Sequence, residues 1–481
     1  MYITPDFKQK FQVYPLSIHE LSDRIVCMAK GKSEDFILVF GQDSDFVGTT
    51  KSYEGTEYKE CPLTRENAEA LKKLFPFTRP VPVLKTHKTI GLGDRLGRAT
   101  AGHIKLMKDF PYIRPVFAQQ SMRELNLTGR RYEDVIADAV FAVFRENYTL
   151  GYGADGDHLK TEEDIRYALD CGCTMITLDC SDHINNAAAS YDDDDVNKEY
   201  KPDADLESRY VGKTFTLKNG MSFTFTENEF RRIVLIYKEA IDFAVKVYND
   251  IFRGNQNADL EVSIDETLTP TTPLQHFFVA NELKHADALP VTMAPRFCGE
   301  FQKGIDYIGD IKQFEKEFEV HANIAKEFGY KISVHSGSDK FATFSIVGKY
   351  TDGIYHVKTA GTNWLEAMRV VAQEDPSLYR EVHKFALSVL PEARKYYHIG
   401  ADENTIPDVD TLPDSELPNL MSRDNSRQVI HITYGLILQA KNSDGTSRFR
   451  DRLYQVWHDY EETYHKNLYN HIRRHITELG N

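Results

Sequence analysis

Lys88-Thr89-Ile90-Gly91-Leu92-Gly93-Asp94 is a short β-branched and apolar run that ends in a charged residue, and runs of its kind recur along the chain. They are Pro115–Gln119, Thr149–Ala154, Met175–Asp179, Leu260–Asp265, Pro290–Ala294, Lys331–His335 and Gly353–Lys358. Amphipathic stretches lie between most of them. Tyr132 to Phe144 and Ile311 to Phe328 carry apolar residues at three- and four-residue spacing, the helical period. Alternating β and α units of this number predict an α/β fold, a (β/α)8 TIM-type barrel. The competing doubly wound sheet wants a dinucleotide fingerprint after its first strand. Gly91-Leu92-Gly93-Asp94-Arg95-Leu96-Gly97 has a GxG but the wrong onward spacing, and no acidic residue clearly ends a second strand, so NAD is not expected.

Outward from the barrel the chain divides into three parts. Residues 1–84 form an N-terminal α/β extension, with Phe36–Phe40 as a buried strand and Leu63 to Phe75 as a helix capped by Thr64. Residues 85–400 form the catalytic barrel. Residues 401–481 form a helical C-terminal extension packed on it, with Arg448 to Leu479 as one long helix and Tyr454, Trp457, Tyr460, Tyr464 and Leu468 on its apolar stripe. About 80 residues separate the fourth and fifth strands, where barrels use about 30 per unit. This insertion, 185–230, contains two alternating segments around Asn219-Gly220, the signature of a hairpin with a type I′ turn. A hairpin inserted after a barrel strand is expected over the catalytic face, as a lid.

The chain has 481 residues, for which length alone suggests about three domains. An enlarged barrel accounts for that length as one unit. Its net charge of −15 and pI near 5.6 argue against nucleic acid and against an anionic membrane surface. A hydrophobic content of 41% excludes disorder. The N-terminus has neither basic nor apolar signal-peptide regions, and no apolar run is long enough to span a bilayer. Six cysteines are too few for a disulfide scaffold and fit a reducing cytoplasm. Asp192–Asp195 reads as a solvated loop.

In this fold the strand C-termini build the active site. The first strand ends at Asp94-Arg95, the third at Asp157-His158-Leu159-Lys160 and the fifth at Asp265-Glu266, with His276 following. The sixth ends at Arg296, the seventh at His335 with Asp339-Lys340 beyond it, and the eighth at Lys358. Imidazoles and carboxylates at such separate positions can surround a divalent metal cation, and His158, His276, His335 and Glu266 are the candidates. Asp157 and Glu266 are the best acid/base pair, since a carboxylate beside a metal can be tuned for proton transfer. Arg95, Lys160, Arg296, Lys340 and Lys358 are cations gathered at one rim of an acidic chain, which fits a small anionic substrate.

The runs Thr86–Gly97, Gly153–His158, Asp265–Thr267, Thr271–His276, Lys303–Asp310, His335–Lys340 and His356–Gly361 resemble the tagaturonate/fructuronate epimerase family, from about residue 80 to 440. Arg98 and Ala101 depart from its pattern, which has an apolar residue and a Pro there. The resemblance implies a metal-dependent epimerase interconverting D-tagaturonate and D-fructuronate in hexuronate catabolism. It implies Asp157 as proton acceptor and Glu266 as proton donor. It implies a divalent ion (Zn, Mn, Ni or Co) on His158 and His335 with His276 as third ligand, and a ketohexuronate as substrate, for which the rim residues Arg95, Lys160, Arg296, Asp339, Lys340 and Lys358 are the candidate contacts. A homo-oligomer is compatible with it. The alternative is another metal-dependent ketose or uronate epimerase, isomerase or aldolase on the same scaffold, tagatose/fructose 4-epimerase activity included.

Overall fold

The computed structural model describes residues 3–480. Its centre is a closed barrel of parallel strands β1 (Lys88–Gly91), β2 (Ile113–Ser121), β3 (Gly153–Leu159), β4 (Met175–Asp179), β5 (Asp259–Ile264), β6 (Thr292–Pro295), β7 (Lys331–Val334) and β8 (Tyr355–Lys358). β8 closes on β1 with Tyr355 opposite Lys88 and Lys358 opposite Gly91. The predicted (β/α)8 barrel is therefore present. Each predicted barrel strand has a counterpart, because short β-branched runs bounded by polar turns fit a sheet covered by helices, but the third starts only at Gly153 and runs on to Leu159 instead of spanning Thr149–Ala154.

The interior of this barrel departs from the usual filling of branched apolar side chains. Thr89, Asp155, Thr177, Glu261, Thr292, Lys331, Ser333, His356 and Lys358 are all buried there or at its ends. Such groups cost stability unless paired, and most of them are paired, Ser333 Oγ being an exception. Lys331 Nζ donates to Thr89 Oγ1 (2.8 Å), and Thr292 Oγ1 donates to Glu261 Oε2 (2.7 Å).

The N-terminal region is a five-stranded antiparallel sheet (His19–Glu20, Arg24–Ala29, Phe36–Gly41, Thr56–Pro62, Thr49–Tyr53, in spatial order), followed by the helix Arg65–Leu74 capped by Thr64. The two-residue alternation of its strands divides the side chains. Val26, Met28, Ile37 and Val39 join the barrel's core cluster, while Ile25, Cys27, Leu38 and Phe40 pack with Phe7 of the helix Pro5–Lys10. Leu96 and Ala99 of the loop after β1 share a second core with the helix Thr362–Glu374 and the C-terminal helices.

Three expectations change. The hairpin strands Thr214–Thr216 and Ser222–Thr224 form, but only Gly220 of the Asn-Gly pair has positive φ (91°), and Gly220 N donates to Leu217 O (2.9 Å). A three-residue loop with glycine in the left-handed position replaces the two-residue type I′ turn. The hairpin stacks Phe223 on Phe277 of the outer helix Pro273–His285 (5.0 Å, 26°), and Lys218 N reaches Glu327 Oε2 (3.0 Å). It covers outer helices and lines no part of the catalytic cavity. The C-terminal helix is two helices, Arg450–Asp459 and Glu461–Glu478, broken at Tyr460. Trp457 Nε1 donates to Ala367 O (2.9 Å) and Tyr464 OH to Asn363 O (2.8 Å), so both halves are anchored to Thr362–Glu374. Tyr460 between them turns out to 42% exposure.

Candidate active site

A cavity of about 360 Å³ opens at the C-terminal ends of the strands. Three pieces of local structure shape it. Asp94 ties down the loop after β1: its Oδ1 accepts from Leu96 N (3.0 Å) and Gly97 N (2.8 Å), and its Oδ2 from Ala99 N (2.7 Å) and Thr100 N (3.0 Å). That loop sets Arg95 in the cavity wall, where its guanidinium pairs with Glu124 and lies 5.1 Å over the Tyr434 ring. Glu124 is also half of a capping box with Ser121 that starts the helix Met122–Thr128.

The second piece is a bulge in β3. Gly156 is opposite Ile176 of β4, but Leu159 is opposite Leu178, so Asp157 and His158 together face one residue of the neighbour. His158 sits at φ 55°. Strict alternation would send these two side chains to opposite faces; the bulge lets both line the cavity. The third is the alternation of β5, which puts Glu261 and Ser263 on the face that continues to Asp265.

Lys358 stands at the base. Its Nζ lies 3.0 Å from Asp155 Oδ2, 2.6 Å from Asp157 Oδ1 and 3.0 Å from Glu261 Oε1. Burial would lower its pKa, but these three carboxylates hold it well above the ordinary value. Burial pushes Asp155 up to about 6 despite Lys358. Asp157 is held well below the usual range, because the charges of Lys358 and His158 outweigh its burial.

His158 Nδ1 is 3.0 Å from Asp157 Oδ1, and its Nε2 is 4.0 Å from Asp265 Oδ1. His335 Nε2 is 2.7 Å from Glu261 Oε1, and its Nδ1 is 3.1 Å from Asp265 Oδ2. That Nδ1 is buried and lacks a hydrogen bond of acceptable geometry. Thus each imidazole has one nitrogen fixed by a carboxylate behind it and the other directed towards Asp265. One donor atom from each of His158, Asp265 and His335 lies within 4.8 Å of the others. Outer carboxylates that orient ligating histidines are the usual support of a metal site. The carboxylates of Asp155, Asp157 and Glu261 converge on one ammonium, Lys358, while that of Asp265 lies against the two imidazoles. Burial opposes a charged His158, yet the charge and hydrogen bond of Asp157 raise its pKa to about 10. These residues fit a divalent cation, with His158, His335 and Asp265 as the group that would hold it.

A family model described as tagaturonate epimerase matches residues 14–479. The chain belongs to the tagaturonate epimerase family. The tagaturonate/fructuronate epimerase of Thermotoga maritima is 38% identical over 480 residues, covering 98% of this chain and 98% of that protein. Crystal structures of the fructuronate-tagaturonate epimerase UxaE from Cohnella laeviribosi, native and with one glycerol, match with TM-score 0.94 at 48% identity, over 97% of this chain and 96% of theirs. The protein is thus an epimerase, in the isomerase class, and the resemblance read from its motifs extends over nearly the whole chain. No helix among the described residues is long and apolar enough to cross a membrane.

The epimerase fold brings together Asp157, His158, Glu266, His335, Arg95, Lys160 and Lys358 around the cavity. Glu266 is exposed at its mouth. Lys160 Nζ is held by Asp182 Oδ1 (2.6 Å) and Ser181 Oγ (2.8 Å). Four expected residues do not line that cavity. His276 is fully buried in the helix Pro273–His285, with Nδ1 2.9 Å from His321 Nδ1 and Nε2 2.5 Å from Tyr330 OH. Both its nitrogens are engaged outside the cavity, and the third group beside His158 and His335 is Asp265. Arg296 donates to Thr267 O and lines an adjoining cleft that shares Asp265, Glu266, Lys303 and His335 with the cavity. Asp339 is buried against Arg427 (2.6 Å) and His471 (2.5 Å) of the C-terminal extension. Lys340 Nζ, with its pKa drawn down to about 7 by burial, donates to the carbonyls of Gln302 (2.8 Å), Ile305 (2.5 Å) and Ser338 (3.1 Å). Conversely, Asp265, Lys303, Arg123 and His431 line the cavity without having been singled out. For Asp265 the alternation of β5 was a usable signal; Lys303, Arg123 and His431 come from a loop, from the short helix Met122–Thr128 and from the C-terminal extension, where no strand periodicity points.

Proposed function

We propose that the protein interconverts D-tagaturonate and D-fructuronate with a divalent metal ion held by His158, His335 and Asp265. Asp157 is the proton acceptor and Glu266 the proton donor. The observation that carries this reading is the pair of imidazoles fixed from behind by Asp157 and Glu261 beside Asp265, within a family of tagaturonate epimerases. The two ketouronates differ at a carbon two bonds from the ketone carbon, where simple enolisation cannot act. A retro-aldol route meets this constraint. A base takes the proton of the hydroxyl on that carbon, and the bond to its neighbour nearer the ketone breaks. The electron pair passes towards the ketone oxygen, and the aldehyde half turns and re-adds from its other face. When bound, the ion would act as a Lewis acid on the substrate's carbonyl oxygen.

The chain's own residues supply the proton transfers. Asp157 is kept ionised by Lys358 and His158, and both contacts fall on Oδ1, leaving Oδ2 without a hydrogen bond among the described residues. Oδ2 is the atom that accepts the hydroxyl proton. Glu266, at the cavity mouth, returns a proton after re-addition. The test is NMR of product formed from tagaturonate by purified, metal-assayed protein. Fructuronate is expected from wild type, with Asp157→Asn slower by about 10²- to 10⁴-fold, the range of a lost acid/base group. An Asp157→Asn variant of wild-type rate overturns the assignment of the base, and no fructuronate from metal-loaded wild type overturns the reaction.

A further inference from the structure

The cations around the cavity are not equivalent. Lys358 is surrounded by three carboxylates, Arg95 is paired with Glu124, and Lys160 with Asp182. Among the described residues, two cations that line the cavity have no carboxylate within 4.0 Å: Arg123, which is exposed, and Lys303, which is not. Lys303 Nζ donates to a neutral partner, Ser336 Oγ, at 2.9 Å. Burial and the nearby charge of Arg95 pull its pKa below the ordinary lysine value, as befits a cation still lacking its anion.

The backbone that carries Lys303 is held on every side. Lys340 Nζ binds the carbonyls of Gln302 and Ile305, Arg427 Nε binds that of Gly304 (2.7 Å), and Gln428 Nε2 reaches that of Lys303 (3.4 Å). Arg427 is in turn fixed by Asp339 at 2.6 Å. A loop whose successive carbonyls are tied down in this way presents its side chain in a set place.

We propose that Lys303 is the receptor for the terminal carboxylate of the sugar acid and so sets the preference for ketouronates over neutral ketoses, with Lys340 and Arg427 as positioning residues. The inference rests on the proposed function. A carboxylate entering the cavity gives Lys303 the counter-ion that no side chain supplies. A neutral sugar leaves a poorly hydrated ammonium beside Arg95. Lys340 and Asp339, which the motif suggested as substrate contacts, act one step behind, through the loop.

The test compares metal-loaded wild type, Lys303→Met and Lys303→Arg. Lys303→Met should raise KM for tagaturonate on the order of 100-fold with kcat changed less than about threefold, the pattern of lost uniform binding. Lys303→Arg should restore KM to within about tenfold, since a cation is what the position needs. Calorimetry with non-reacting D-gluconate and neutral D-glucitol gives a second readout: Lys303→Met should weaken the acid alone. An unchanged KM, a loss shared equally by Lys303→Met and Lys303→Arg, or equal loss of gluconate and glucitol binding overturns the proposal. If wild type fails to convert tagaturonate, the proposed function falls, and the gluconate and glucitol arm still decides the role of Lys303.

Discussion

Two histidine–carboxylate clusters of similar composition lie at the barrel rim, and they differ in which atoms are engaged. In the first, His158 and His335 are bonded from behind by Asp157 and Glu261, and their remaining nitrogens turn towards Asp265 beside an open cavity. In the second, Asp339, His471 and His475 bond one another: Asp339 Oδ1 is 2.5 Å from His471 Nε2, and Asp339 N donates to His475 Nε2 at 3.0 Å. Arg427 takes the other carboxylate oxygen, and Glu366 lies 3.4 Å from His471 Nδ1. A cation already occupies the charge of this group, so it serves as a clamp between the barrel and the C-terminal helix Glu461–Glu478. Residue types alone do not distinguish a metal site from a clamp; unengaged donor atoms and unbalanced negative charge do.

The sharpest way to break this contrast is to remove an imidazole from each cluster. His335→Ala should lose bound metal and cut kcat/KM on the order of 10³-fold, about 4 kcal/mol, because a Lewis acid contributes several kcal/mol. His475→Ala should keep the wild-type metal content by elemental analysis; loss of metal there would erase the distinction.

Next in size is the clamp itself. Asp339→Asn leaves Arg427 buried without its charge partner and should cost about 3–5 kcal/mol of stability in denaturant unfolding, with metal content unchanged. The effect carries a pH signature. Burial would raise the Asp339 pKa, but His471 and Arg427 hold it well below the usual carboxylate range. Its contribution is therefore present above the unfolded value of about 3.9 and is lost as pH falls through the lower folded value. The acid limb of the stability curve should be shallower in Asp339→Asn than in wild type, and identical limbs would contradict the assignment.

The smallest effect is expected one step behind the proposed metal site. Glu261→Gln keeps the shape of the side chain but removes the charge that fixes His335 Nε2, so metal affinity should fall by about 10- to 100-fold. Chelator competition measures it. A fall as large as that of His335→Ala would make Glu261 itself a ligand.

The barrel was legible because strand and helix periods repeat along the chain, and its rim was legible because the residue after each strand belongs to the active face. The place of Asp157, His158 and His335 on the cavity wall was expected from strand ends, although Asp157 and His158 both face it only because β3 bulges there. His276 did not, since a helical residue a turn beyond the rim faces whichever layer packs on it, here His321 and Tyr330. Asp265 was within reach, as it continues the inward set Glu261 and Ser263 of β5. The lid failed for a related reason: alternation identifies a hairpin but not the surface on which its aromatic face is buried, and Phe277 supplied that surface.

Local periodicity, turn residues and caps are properties of neighbours in the chain, and they were enough to specify an eight-stranded barrel with an acidic, polar catalytic end. Whether a given imidazole keeps a nitrogen for a ligand, or a given lysine keeps its charge for a substrate, depends on partners far away in sequence. His335 meets Glu261 74 residues away, and Arg427 meets Asp339 88 residues away. Hydrogen bonds and ion pairs act over a few ångströms of space, and only the closed barrel with its C-terminal extension brings those groups within that range.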